Sequence, residues 1–275
     1  MKKITTLFLF LSISFMGIKA TYAAPSAKGI EFWNVFDAKS ETKLDHTPWQ
    51  NILDKYLLGV HPSGVNRFKY SSVSDDDVSK LNNYVDGLEE VDPRTLNKDE
   101  QEVYWINLYN AATVELILKE KPEKSISEIR ESFFSLDFGP WGIKILNVAG
   151  QEVSLNDIEH GILRPFWQEP RHHFALNCAS IGCPNLSKTA FTVKNKEQLL
   201  ENGAIEFINH ERGAKLNNKG ELTLSSIFDW YGSDFGDSEE QVLDYIQDYR
   251  LLGREFDEES ISDIDYDYDW DLNKP

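Results

Sequence analysis

The sequence predicts a single α+β domain in which helices predominate and the β-structure is limited to a small hairpin or sheet. Apolar residues recur at helical spacing in several segments, whereas strand-like patterns are few and short. The intervals between the predicted elements are short, and no repeat of fixed period is visible. These observations indicate one compact globular domain, for which we predict the bounds 41–254.

Six helices follow from the apolar spacing. The second begins at Ser74, which can cap the helix and which three acids follow. The third is the longest and ends at Lys121-Pro122. Ser154 opens the fourth, with Asp157 in place of the usual Glu of a capping box. The predicted helices cover residues 49–58, 74–91, 97–121, 158–166, 197–210 and 238–252.

β-structure is predicted at two places. Residues 142–148 and 151–153 flank a turn and form a hairpin, and residues 222–224 form a short strand. Near the C-terminus an acid occupies every second position, which we interpret as a flexible acidic tail over residues 255–275. Alternation alone would also suit a strand. A Ca²⁺ site is a further alternative, although the glycine and the spacing of an EF-hand loop are absent from the sequence.

The N-terminus has the layout of a secretory signal peptide. Lys2 and Lys3 precede an apolar run that is too short to span a bilayer, and small residues follow it up to Ala24. We therefore predict a signal peptide over residues 1–24, then an exposed leader over residues 25–40. The mature protein is expected to be periplasmic or secreted and to have no stable membrane span. A retained N-terminal anchor is the alternative.

The chain is strongly acidic. Its formal net charge is −18, and removal of residues 1–24 takes away three lysines and no acid, which brings the charge to −21. Such a surface repels phosphate backbones, so we exclude nucleic acid as a partner. The common nucleotide-binding, zinc-protease and serine-hydrolase motifs are absent from the sequence. No cofactor or metal is predicted, and the expected partner is an extracytoplasmic small molecule, peptide or glycan.

The segment around the two cysteines is the richest in reactive side chains. In an oxidising compartment, Cys178 and Cys183 can close a short structural disulfide across the turn between them. The competing hypothesis is a cysteine-dependent hydrolase or acyltransferase, in which Cys178 is the nucleophile and His160 or His173 is its base. Asn107 would then orient the imidazole. Redox and zinc sites receive less support, because their usual ligand spacing is absent.

Polar side chains on two apolar helices complete the candidate site. Asn107 and Asn110 lie three residues apart on the third helix, and His160 and Arg164 lie four apart on the fourth. Glu159 is expected to turn away from His160. Alternatively, the amides hold neighbouring loops and the charged groups pair with one another. The predicted substrate-binding residues are Trp105, Asn110, Glu159, Arg164 and Arg171. We expect a single polar pocket formed by Asn107, Asn110, His160, Arg164, Arg171 and Cys178.

Four blocks of the sequence carry a resemblance to a known family. They read YWINLYNA at 104–111, SLNDIEHGILR at 154–164, RHHFALNC at 171–178 and IFDWYGSDF at 227–235. Together, in this order, they resemble the family called domain of unknown function 547. The resemblance implies an exported bacterial protein, but it brings no assigned activity and no established catalytic residues. Three functions stay open: a cysteine-dependent enzyme, a non-catalytic binding module, and an envelope interaction protein, the last two with a Cys178–Cys183 disulfide.

Overall fold

The computed structural model describes residues 25–131 and 139–275. The signal peptide predicted for residues 1–24 lies outside the described residues. Within them the chain is predominantly helical and carries small sheets of two or three strands, which confirms the predicted α+β class. No helix in this part of the chain is both long enough and apolar enough to cross a lipid bilayer.

The helices lie close to the positions that the apolar spacing predicts, except for two short ones at 226–230 and 232–235, which the spacing does not predict. They are α1 (Thr47–Tyr56), α2 (Asp75–Glu89), α3 (Lys98–Glu120), α4 (Arg164–Trp167), α5 (Lys196–Ile208), α6 (Ser226–Trp230), α7 (Gly232–Phe235) and α8 (Glu239–Asp248). A π-helical stretch, Asp157–Leu163, runs directly into α4. The cysteine-bearing segment begins with a short 3-10 helix, Pro170–Phe174.

The strands form three separate sheets. The first pairs β1 (Leu57–Leu58) with β2 (Arg67–Phe68), and the second pairs β3 (Leu146–Val148) with β4 (Gln151–Val153). The third contains β5 (Ala214–Leu216), β6 (Glu221–Ser225) and β7 (Asp263–Asp267). In this sheet β5 is antiparallel to β6 and β7 is parallel to it.

Side-chain caps mark the start of α2 and of the helical segment that leads into the π-helical stretch. At α2 the side chain of Ser74 accepts a hydrogen bond from the backbone N–H of Asp77. Before the π-helical stretch, the N–H of Asp157 donates to Oγ of Ser154, and the N–H of Ser154 donates back to the Asp157 carboxylate. This reciprocal pair satisfies two backbone donors, so Asp157 does replace the usual Glu of a capping box.

Helix α3 is the centre of the larger core. Most of its residues from Glu100 to Ile117 are buried, and Tyr104 and Trp105 are fully so. A helix that is buried all round must be surrounded by other elements, and α3 is contacted by α2 and by the π-helical stretch. Truncating one of its large side chains to alanine is expected to cost about 3–5 kcal/mol of stability.

A smaller core holds the cysteine-bearing segment from the other side. Phe174 lies in this core, 5.6 Å from Phe207 and 6.2 Å from Phe228 between ring centroids. Leu176, two residues later, belongs to the larger core. The chain therefore crosses from one core to the other just before it reaches Cys178, and both cores fix its path.

The predicted leader, residues 25–40, is exposed over most of its length but is also anchored. Trp33 is buried against Trp105, with 5.1 Å between the ring centroids. The N–H of Ile30 donates to the carbonyl of Gly161, and a Cβ at Gly161 would lie 2.5 Å from Cδ1 of Ile30. The close contact explains why glycine occupies position 161.

The C-terminal segment, residues 255–275, is part of the fold, so its interpretation as a flexible tail is wrong. Strand β7 pairs with β6 over its whole length, and Leu272 and Asn273 are buried. The alternation in the sequence is that of a strand with one covered face. Its acids face outward while Ile264 and Tyr266 pack on the smaller core. The acidic composition therefore describes only the outer face.

Candidate functional site

One cleft brings together four of the residues singled out from the sequence: Glu159, His160, His173 and Cys178. The cleft is narrow, with a cavity volume of about 50 Å³, which is room for a few water molecules. Its other lining residues are Tyr109, Trp141, Asn156, Leu176, Cys183, Pro184, Ile227, Trp230, Tyr231, Tyr268 and Trp270.

The π-helical stretch explains how two consecutive residues face the same cleft. Consecutive side chains of an α-helix diverge by about 100°. The wider turn of a π-helix reduces this angle, and such turns are frequent at functional sites. The expectation that Glu159 turns away from His160 is therefore wrong, since both line the cleft.

His173 is held between two carboxylates. Its Nδ1 lies 3.3 Å from Oε1 of Glu159, and its Nε2 lies 2.7 Å from Oδ2 of Asp234. Burial would lower the pKa of His173, but the hydrogen bonds to the two carboxylates more than offset this, and the pKa is raised. With both nitrogens engaged, His173 has no free nitrogen for a proton from Cys178. The structure thus makes it a charged anchor rather than a base.

His160 has a different environment. Its Nδ1 lies 3.1 Å from Nη1 of Arg164, whose guanidinium also binds Asp234. Because a guanidinium only donates, Nδ1 is the acceptor, and the neutral ring carries its proton on Nε2. Burial lowers the pKa of His160 although Glu159 opposes the shift. The neutral ring therefore offers an N–H donor, and not a free lone pair, to the cleft.

Cys178 is half-buried, and its sulfur lies within hydrogen-bond distance of two hydroxyl groups. Its Sγ lies 3.0 Å from Oη of Tyr268 and 3.2 Å from Oγ of Ser180. Contact with Cys183, followed by the bonds from these two residues, lowers the pKa of the Cys178 thiol to about 7 against the effect of burial. A lowered pKa increases the thiolate fraction at neutral pH relative to an ordinary cysteine. Burial raises the pKa of Cys183 well above its usual range.

The alternative of a structural Cys178–Cys183 disulfide is not realised, because both cysteines are free thiols. Instead, the backbone N–H of Cys178 donates to Sγ of Cys183 at 3.0 Å. Sγ of Cys183 in turn donates to the carbonyl of Leu176 at 3.6 Å. The buried thiol of Cys183 thus ties together the backbone on which Cys178 sits.

The residue after Cys178 has a strained backbone. Ala179 is fully buried with φ at +61°, a left-handed conformation that costs a non-glycine residue about 1–2 kcal/mol. Its N–H donates to Oδ1 of Asn177, and its carbonyl accepts from the N–H of Asn273. Strain of this kind concentrates at functional sites, where the surrounding bonds impose it.

The two asparagines of α3 do not line the cleft. The amide of Asn107 binds both backbone groups of Phe191, so it clamps a loop and does not orient an imidazole, contrary to the prediction. Asn110 donates to the carbonyl of Ala175 and accepts from the N–H of Asn177. It acts on the cleft only through the backbone that leads to the nucleophile candidate.

Three further residues predicted to bind substrate also lie outside the cleft lining. Trp105 is fully buried beside Tyr104 in the larger core. The guanidinium of Arg164 forms a hydrogen bond with His160 and an ion pair with Asp234. Arg171 forms ion pairs elsewhere with Glu169, Glu197 and Glu201. The expectation of one shared pocket therefore fails for these residues, because each has a structural partner nearer than the cleft.

Sequence reasoning missed several residues of the site. Asp234 stands in the block at 227–235 that carries the family resemblance, but its role was not assigned. Tyr268 and Trp270 were missed because they belong to the segment interpreted as a tail. The sequence did carry a signal for them, because aromatic and apolar residues alternate regularly with the acids of that segment.

Comparison with known proteins supports the resemblance and adds no activity. A family model described as "Protein of unknown function, DUF547" matches residues 93–208, which contain α3, the π-helical stretch and both cysteines. No curated protein and no solved structure matches the chain. The match over residues 93–208 thus supports the resemblance of this part of the chain to the DUF547 family.

Proposed function

We propose that this protein is a cysteine-dependent hydrolase or acyltransferase that acts outside the cytoplasm. The observation that carries the proposal is the setting of Cys178, a half-buried thiol in a cleft, with its pKa lowered to about 7 and two hydroxyl groups within 3.2 Å of its sulfur. A structural cysteine in a core has no need of these partners. The expected substrate is a small molecule, peptide or glycan that carries an acyl group.

The reaction begins with the thiolate of Cys178. Its sulfur forms a bond to the substrate carbonyl carbon, and the π-electron pair of the carbonyl moves onto oxygen. When this intermediate collapses, the leaving group departs with its bonding pair and takes a proton from solvent, which leaves a thioester on the enzyme. Water, or an acceptor hydroxyl or amine, then attacks the thioester, loses a proton to solvent and releases the thiolate.

His160 contributes as a hydrogen-bond donor in this scheme. Because Arg164 occupies Nδ1, the neutral ring presents Nε2–H to the cleft. A donor of this kind stabilises the negative charge that develops on the carbonyl oxygen. Neutral imidazole serves in this way in other enzymes. A general base is dispensable for the thiol itself, since its pKa near 7 already gives thiolate at neutral pH.

Acylation by a neutral activated ester tests the proposal. With p-nitrophenyl acetate, the native protein should release a burst of p-nitrophenolate and carry an acetyl group on Cys178, detected by mass spectrometry. Cys178→Ser should lower the rate by about 10³-fold or more. Cys183→Ser should still be acylated at Cys178, but its rate should rise at a higher pH, because contact with Cys183 lowers the pKa of Cys178. Undiminished turnover in Cys178→Ser, or a rate no faster than that of free cysteine at the same pH, would refute the proposal.

Export is a separate part of the proposal and rests on residues 1–24. Their basic start, short apolar run and Ala-rich end have the layout of a cleaved signal. Mass spectrometry of protein from the extracytoplasmic fraction should find a terminus near Ala24 or Pro25. Recovery of an intact Met1 terminus from the membrane fraction would contradict cleavage.

A non-catalytic binding module is the second candidate, and the aromatic wall of the cleft favours it. Trp270 lies 5.4 Å from Trp141 and 5.5 Å from Trp230 between ring centroids. Such faces bind flat or ring-shaped ligands by stacking. A binding module would change its tryptophan fluorescence with oligosaccharide or peptide ligands, equally well in Cys178→Ser, and would form no acyl adduct.

A further inference from the structure

We propose that Tyr268, supplied by the C-terminal segment, is a positioning residue that works with Ser180 to hold the sulfur of Cys178 as a thiolate. The inference rests on the proposed nucleophilic role of Cys178 and deepens it. Its basis is a triangle of polar contacts. Sγ of Cys178 lies 3.0 Å from Oη of Tyr268 and 3.2 Å from Oγ of Ser180, and these two oxygens are 2.9 Å apart.

The two hydroxyl groups of the triangle can stabilise a thiolate. Each carries one O–H, so both can donate to the sulfur, or one can donate to the other hydroxyl while that one donates to the sulfur. Hydrogen bonds to the charged form of a group favour that form, so these donors favour the thiolate over the thiol. Burial raises the pKa of Tyr268 well above its usual range, so its hydroxyl keeps its proton at neutral pH.

The imidazoles do not perform this task. Among the hydrogen bonds of the described residues, none joins Cys178 to a histidine. His173 is engaged by two carboxylates, and His160 accepts from Arg164. The hydroxyl groups are therefore the side-chain donors that set the state of the sulfur, together with the neighbouring thiol of Cys183.

The backbone fixes Tyr268 from both sides. Strand β7 ends at Asp267, directly before it, and is paired there with β6. After it, the N–H of Gly182 donates to the carbonyl of Asp269, and a Cβ at Gly182 would lie 2.7 Å from the backbone nitrogen of Asp269. This close approach requires glycine, and it brings the cysteine loop against the C-terminal segment.

The ring of Tyr268 is fixed by aromatic packing. Its centroid lies 4.9 Å from that of Trp230 and 4.5 Å from that of Trp270. Tyr268 lies outside residues 93–208, the part that matches the family model. The hydroxyl donor is thus supplied to the cysteine loop by a part of the chain beyond that match.

The test compares the pH dependence of Cys178 alkylation in two tyrosine variants. Tyr268→Phe keeps the ring and its packing but removes the O–H, and it should raise the pKa of Cys178 by about 1–2 units, since a hydrogen bond to a charged group contributes about 1.5–3 kcal/mol. Tyr266→Phe, in strand β7 just before Tyr268, is the matched control and should leave the pH profile of alkylation unchanged. Iodoacetamide is the probe, and fragment-ion mass spectrometry assigns the label to Cys178.

Ser180→Ala provides a second, independent variant, and it should also raise the pKa of Cys178. If Tyr268→Phe folds and leaves the alkylation profile unmoved, the inference is overturned, whatever the Ser180→Ala profile shows. If Tyr268→Phe does not fold, the Ser180→Ala profile decides alone. The readout needs no turnover, so a protein that fails to acylate can still pass this test, and the two proposals fail separately.

Discussion

Helix α3 and the cleft around Cys178 both bury polar side chains, and they differ in what those side chains bind. On α3, Asn107 and Asn110 bond to backbone groups of loops. In the cleft, Glu159 and His173 bond to other titratable side chains. Amides that bind backbone hold the chain in place, whereas networks of titratable groups fix charges and protons. Burial alone therefore does not distinguish a loop clamp from a charge network. The partners do, and α3 carries one member of a second network, Glu102, which bonds to His172 and Lys196 outside the cleft.

The largest effect is expected from the two amide clamps. Asn107→Ala and Asn110→Ala each leave one N–H and one carbonyl unpaired in the core, which should lower the free energy of unfolding by about 3–5 kcal/mol. Only Asn110 binds the backbone that leads to Cys178. Urea titration should show similar losses for both, while the alkylation rate of Cys178 should change only in Asn110→Ala. An equal change in the alkylation rate of Cys178 in both variants would contradict the distinction between the two clamps.

A smaller effect is expected from the charge network of the cleft. Two nearby histidines and Arg164 lower the pKa of Glu159 to about 2 against full burial. The stability from this shift is present above the unfolded pKa of about 4.5 and is lost as the pH falls towards 2. In Glu159→Gln, the loss of unfolding free energy over this range should be smaller by about 3 kcal/mol.

The stability that this network contributes should also decrease when the pH rises. Because the pKa of His173 is raised, its stabilising charge is fully present below pH 6.5 and is lost as the pH rises through the higher folded pKa. Urea titrations at a series of pH values measure the loss of stability on both the acid and the basic side. An acid limb that is identical in the native protein and in Glu159→Gln would contradict the assignment of the network.

The smallest effect concerns a charged residue of α3 that is not a clamp. Burial, and then Asp86 and Glu89, raise the pKa of Glu115 to about 7. A carboxyl group with a raised pKa destabilises the fold as the pH increases from about 4.5 to 7. The shift alone corresponds to about 3 kcal/mol, but Glu115 is only partly buried and solvent screens it, so Glu115→Gln should gain less than this at pH 8 and little at pH 4.

The matched control for this variant lies on the same helix. Glu120 is exposed at the end of α3, so Glu120→Gln should leave the unfolding free energy unchanged at both pH values. Thermal melts at the two pH values separate the outcomes. A gain at pH 8 in both variants would point to the net charge of the chain rather than to the burial of Glu115.

The helices and the hairpin could be predicted because their signals are local. The cap at Ser74 and the apolar repeat of α3 depend on residues within a few positions of one another. The pairing of β7 with β6 could not be predicted in this way, because the strands are about forty residues apart and β7 also shows the composition of a disordered tail.

The candidate site was predictable only in part for the same reason. The cysteine segment stands out by its chemistry, and Cys178, His160, His173 and Glu159 do line one cleft. Their roles depend on partners that are distant in sequence, such as Asp234 for His173. Helical spacing also assumes a regular α-helix, and the π-helical stretch changes which of its residues share a face.

The most direct test of the account is the pH dependence of thiol alkylation in the native protein. Cys178 should react with iodoacetamide with a midpoint near pH 7 and well before Cys183, whose buried thiol has a raised pKa. The account predicts two free thiols with this order of labelling. A midpoint near the ordinary 9.0, earlier labelling of Cys183, or the absence of free thiols before reduction would contradict it.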